Sequence, residues 1–94
     1  MTKKELIITL DDLTPESAGA LAILGHVNAT NEAIETALTA VRKAMLRKEP
    51  SISANEILDA VSELSKHFGE SCRYDVARNR MWRHLLKRRE LTIT

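Results

Sequence analysis

Thr30-Asn-Glu-Ala-Ile-Glu-Thr-Ala-Leu-Thr-Ala-Val-Arg-Lys-Ala-Met-Leu-Arg-Lys48 decides the fold class of this 94-residue chain. Ile34, Ala37, Leu38, Val41 and Met45 recur every three or four residues, the spacing that puts side chains on one face of an α-helix. Asn28 and Thr30 each offer a capping oxygen at its start. Arg42, Lys43, Arg47 and Lys48 crowd its last turns, where cations offset the negative end of the helix. This segment is expected to be the central core helix.

Downstream, Pro50 interrupts the pattern, and Ser53-Ala-Asn-Glu56 matches the reciprocal capping box. Ile57, Leu58, Val61, Leu64 and Phe68 then repeat at helical spacing up to Gly69, which supplies the stop. A last helix is expected from Ser71 or Cys72 to Arg89, with Tyr74, Ala77, Met81 and Leu85 on its core side. At about 100° per residue, Arg73, Arg80, Arg83, His84 and Lys87 gather on a different face. Trp82 falls between the two and is expected to bury its ring.

Upstream, Thr14-Pro15-Glu16 is a strong helix start, because Thr caps, Pro needs no N–H at the first position, and Glu complements the positive end. That helix runs to about Leu24, before Gly25. Leu6-Ile-Ile-Thr-Leu10 is rich in β-branched residues, with Leu6, Ile8 and Leu10 on one face and Ile7 and Thr9 on the other, and reads as a short strand. Its only candidate partners are the tail Leu91-Thr-Ile-Thr94 or a second copy.

The expected fold is therefore mainly α: a short N-terminal β-strand followed by about four helices, assembled as a homodimer. Residues 1–48 form a strand-helix-helix unit and residues 49–94 a helical hairpin with a basic last helix, within one compact domain. A chain this short buries only a modest core, which favours association.

Composition narrows the function classes. The net charge of +1 hides an asymmetry: residues 1–69 hold seven Lys/Arg against ten Asp/Glu, and residues 70–94 seven against three. A segment of net +4 on a body of net −3 points to an anionic partner or to charge pairing within a dimer. Cys72 is the only cysteine, and the start is too short for a signal h-region or a membrane span, so the expected address is the cytoplasm. Cys72, His26, His67 and His84 fit no metal-ligand spacing, and Gly19, Gly25 and Gly69 form no phosphate loop. Asp11 and Asp12 point to opposite faces of an extended segment, which does not suit shared acid/base work. No catalytic constellation or cofactor site is legible.

Leu6-Ile-Ile-Thr-Leu-Asp-Asp12, the helix ending at Gly25, and Asn31-Glu32-Ala33-Ile34 opening the next helix before Ala37-Leu38 together resemble the ribbon-helix-helix family of bacterial DNA-binding repressors and antitoxins. The resemblance covers about half the chain. It implies two copies that pair their strands into a ribbon for the major groove, with the start of the second helix holding a phosphate. In antitoxin members a C-terminal segment holds the toxin.

The leading expectation is a small non-enzymatic nucleic-acid-binding regulator, of repressor or antitoxin type, that contacts DNA through Arg73, Arg80, Arg83, His84, Lys87, Arg88 and Arg89. The alternative is a helical protein-interaction module without DNA binding, such as an inhibitor, adaptor or small chaperone, because arginine and tryptophan also favour protein hot spots. A helix-turn-helix over residues 53–89 is a third reading.

Overall fold

A computed structural model describes residues 8–91 of the chain. Four helices carry it: α1 (Pro15–Leu24), α2 (Asn31–Lys48), α3 (Ala54–Ser65) and α4 (Tyr74–Lys87), with 3₁₀ turns at Leu10–Asp12 and Lys66–Phe68. Each of the first three helices begins where a local capping group dictates. Thr14 Oγ1 accepts from Ser17 N at 3.1 Å, Thr30 Oγ1 accepts from Ala33 N at 3.1 Å, and Ser53 and Glu56 exchange both bonds of the capping box. Thr30 is thus the cap of α2, while the Asn28 backbone N–H donates to His26 Nδ1.

α1 packs chiefly on α2 and α3 on α4, and α4 also reaches α1 and α2, so the two hairpins close over one core. Leu21 and Leu24 of α1, Leu38, Val41 and Met45 of α2, Ile57, Val61 and Leu64 of α3, and Met81 and Leu85 of α4 are all buried in it. The apolar stripes are thereby covered within a single chain. No helix of the described residues is long and apolar enough to cross a membrane.

The expected N-terminal β-strand is corrected: there is no strand among the described residues. Leu6 and Ile7 lie outside them, and Ile8, Thr9 and Leu10 lead into the 3₁₀ turn instead. The cause is local. Asp12 Oδ2 accepts from Thr9 N at 2.9 Å and from Thr9 Oγ1 at 3.2 Å, closing a tight turn that competes with strand pairing. Lys48 Nζ lies 3.1 Å from Asp12 Oδ1 and ties that turn to the end of α2; the Thr9 N–H and Lys48 together hold the Asp12 carboxyl below its usual value. The inward and outward alternation survives without the strand, for Ile8 is fully buried, Thr9 exposed and Leu10 partly buried. Of the proposed partner Leu91–Thr94, only Leu91 is described, packed at the edge of the core.

α3 ends at Ser65, before the expected stop at Gly69. The buried Ser65 Oγ donates to Val61 O at 2.6 Å, and the chain tightens into the 3₁₀ turn before Gly69 turns it at a φ of 81°. α4 starts at Tyr74, later than expected, because Arg73 N–H donates to Gly25 O at 2.9 Å, and this bond fixes the start of α4 against the end of α1.

Candidate functional site

The seven residues expected to form a cationic DNA face are placed in different roles. Arg80 turns inward: its Nη1 donates to Leu24 O at 2.8 Å, a carbonyl at the C-terminal end of α1, and to His26 O at 2.9 Å in the turn that follows, which also accepts from Ala29 N–H. Arg73 stays exposed, its Nε 3.6 Å from Asp75 Oδ1. Arg88 Nε lies 3.0 Å from Glu90 Oε2, which neutralises it. His84 is half-buried; burial first, and Arg88 second, push its pKa below the ordinary 6.5. Arg83 and Lys87, one turn apart, are exposed and form no ion pair among the described residues, and Arg89 is exposed beyond the end of the helix. Of the seven, only these last three present cationic groups with neither an ion pair nor a carbonyl partner among the described residues.

Arg80 is therefore first a packing and capping residue. Arg80→Ala is expected to cost about 1–2 kcal/mol, the range for a partly exposed charged hydrogen bond, and to lower the melting temperature by several degrees. A melting temperature equal to that of the wild type would show the two carbonyl contacts to be dispensable.

Sequence reasoning missed a second feature of α4. Tyr74, Arg78 and Trp82 follow one another at a spacing of four, so they line one flank of the helix, along its seam with α3. Tyr74 is 48% exposed and Trp82 39% exposed, where the sequence pattern places Tyr74 in the core and buries Trp82. Lys66 Nζ stands 5.0 Å from the centroid of the Tyr74 ring, a cation–π distance. Between the two rings Arg78 reaches across to α3, with Nη2 at a loose 3.8 Å from Asp59 Oδ1, while its buried Nη1 has no hydrogen-bond partner among the described residues. The signal that could have found this stripe was the four-residue spacing of the chain's only Tyr and only Trp around an arginine.

Other parts of the surface carry less chemistry. An open groove of about 660 Å³ lies between the start of α1 and α2, lined by Glu16 and Glu35 as well as Lys43 and Arg47, so its charges oppose one another. Cys72 is buried and burial pushes its thiol up, leaving it protonated and inert at neutral pH. Among the described residues, no three His, Cys, Asp or Glu side chains meet in an arrangement that could hold a metal ion. Comparison with protein-family models, with curated proteins and with solved structures finds no match for the chain.

Proposed function

We propose that this chain is a non-enzymatic helical interaction module that grips a protein partner along the seam of α3 and α4, with Tyr74, Arg78 and Trp82 as anchors. The reading is carried by one observation: two exposed aromatic rings flank an arginine whose inner nitrogen is desolvated and unpartnered. Tyr, Trp and Arg dominate binding energy at protein interfaces, because each combines a large contact area with a directed polar group. The Arg78 side chain as a whole is still 43% exposed and its ion pair with Asp59 is long at 3.8 Å, so a partner carboxylate or carbonyl can meet the outer edge of the guanidinium. The partner that fits is an amphipathic helix with an acidic residue among its apolar ones.

The test is amide-shift mapping against two designed peptides of about 20 residues, one built of Leu and Glu and one of Leu and Lys. The Leu/Glu peptide is expected to shift Tyr74, Arg78 and Trp82, and Arg78→Ala to weaken it about tenfold or more, as for an interface anchor. If neither peptide moves these residues and the wild type sediments as a monomer at micromolar concentration, the reading fails. A duplex retarded at about 50 mM salt would instead favour nucleic-acid binding. That second reading rests on Arg83, Lys87 and Arg89, and three phosphate contacts limit its log–log salt slope to about −3.

A further inference from the structure

The C-terminal end of α4 is a Schellman motif built on a residue with a side chain. Glu90 N–H donates to Leu85 O at 2.9 Å and Arg89 N–H to Leu86 O at 3.0 Å, while Arg89 takes the left-handed conformation at a φ of 61°. Glycine is the usual residue there, and any other carries a strain that must be held by surrounding contacts. Glu90 supplies the hold. Its carboxylate accepts from Arg42 Nε at 3.1 Å through Oε1 and at 2.9 Å through Oε2, and Oε2 also lies 2.8 Å from Arg42 Nη2 and 3.0 Å from Arg88 Nε. Arg42 belongs to α2, 48 residues away in sequence, and its side chain is only 19% exposed. One carboxylate between two guanidinium groups thus pins the end of α4 to α2. His84, in the turn just before, keeps its Nε2 buried with no hydrogen-bond partner among the described residues.

We propose that His84 operates this contact as a proton-driven latch: a proton taken up at His84 releases the turn formed by residues 88–91 from α2 while the rest of the fold stays closed. An imidazolium must place two N–H donors, and Nε2 faces no acceptor. The charged groups acting on the ring are Arg88 at the end of its own helix, Glu35 and Arg42 of α2, and Glu90 of the turn. The two carboxylates favour the imidazolium and the two guanidinium groups oppose it, so burial decides, and the ring is held neutral.

Well above 6.5 His84 is neutral in the open and the closed turn alike, and the latch is at full strength. As pH falls below 6.5 the open form binds the proton first, and closure weakens by up to about tenfold per pH unit until the closed form is protonated as well. Glu90 gives a second, lower window. Burial alone would raise its pKa, but the bonds from Arg42 and Arg88 outweigh that and leave it below 4.5, so its contribution holds above 4.5 and is lost beneath it. The two windows open at different pH, the His84 one at 6.5 and the Glu90 one at 4.5, so the first begins to act well before the second.

Amide hydrogen exchange of the full chain, normalised to intrinsic rates, between about pH 7.5 and 5.5 tests the latch. Protection of the Glu90 and Arg89 amides is expected to fall several-fold over that range in the wild type, while α3 amides such as Leu64 keep theirs. In His84→Gln, which cannot take up the proton, protection at Glu90 is expected to stay flat. Arg42→Gln, which unpins the turn at every pH while keeping His84 itself, is expected to give low protection at both ends of the range. A wild type with flat Glu90 protection, a His84→Gln variant that keeps the pH dependence, or an Arg42→Gln variant as protected as the wild type would each overturn the proposal.

Discussion

Leu64→Asp is expected to leave the chain unfolded at 25 °C, with its helical circular dichroism lost and no cooperative melt. Leu64 is 2% exposed, on the face of α3 that packs on α4 and beside the buried Ile57 and Val61 of its own stripe. Truncating a buried leucine costs about 2–5 kcal/mol, and a carboxylate left there without a partner adds several more or takes a proton at comparable cost. The sum equals or exceeds the roughly 5–15 kcal/mol that stabilises a domain, and a core this small sits at the low end of that range. Ile34→Asp is expected to be milder, lowering the melting temperature without abolishing the fold, because Ile34 is only partly buried and its carboxylate can reach water. A cooperative melt near the wild-type temperature for Leu64→Asp would mean that the α3 face is wrongly oriented.

Gly25→Ala is expected to cost about 2–3 kcal/mol, although glycine is not needed there for its backbone freedom. Its φ of −92° suits any residue. The constraint is space: a Cβ at this position would collide with Cys72 Sγ and would stand 2.9 Å from Arg73 N and 3.0 Å from Arg73 O. Overpacking costs about 1–3 kcal/mol, and the upper end applies because two of the three atoms are backbone that cannot swing aside. Moving them also lengthens the bond from Arg73 N–H to Gly25 O that starts α4, worth about 1 kcal/mol. Cys72→Ala in the same chain removes the sulfur but not the backbone, so denaturant unfolding of the double variant should recover only part of the loss. Full recovery would place the whole constraint on the thiol.

The starts of the first three helices were legible in the sequence because their signals act over three residues, whereas that of α4 was set by the bond from Arg73 N–H to Gly25 O. Thr14 with Ser17, Thr30 with Ala33, and Ser53 with Glu56 close their capping bonds whatever lies elsewhere in the molecule. The inward stripes, from Leu38 and Val41 to Met81 and Leu85, were equally legible, since helical periodicity fixes which side chains share a face. The N-terminal strand was not, because β-propensity at Ile8–Leu10 says nothing of a pairing partner, and the Thr9–Asp12 turn together with Lys48 gave those residues a closer one. The basic stripe of α4 was legible as charge, but not where each of its charges is held.

What the tertiary structure decided is where each of those charges went, and the deciding partners lie far along the chain. Arg80 meets the Leu24 carbonyl 56 residues away, and Glu90 meets Arg42 across 48. A guanidinium on an amphipathic helix can equally well face water, a phosphate or a carbonyl, and its sequence neighbours do not distinguish among these. Only the docking of α4 between α1 and α3 turned Arg80 into a cap, buried one nitrogen each of Arg78 and His84, and left Tyr74 and Trp82 at the surface. Local hydrogen-bonding geometry and periodicity were enough to make the helices, whereas the candidate surfaces arose from contacts that exist only once the helices have packed.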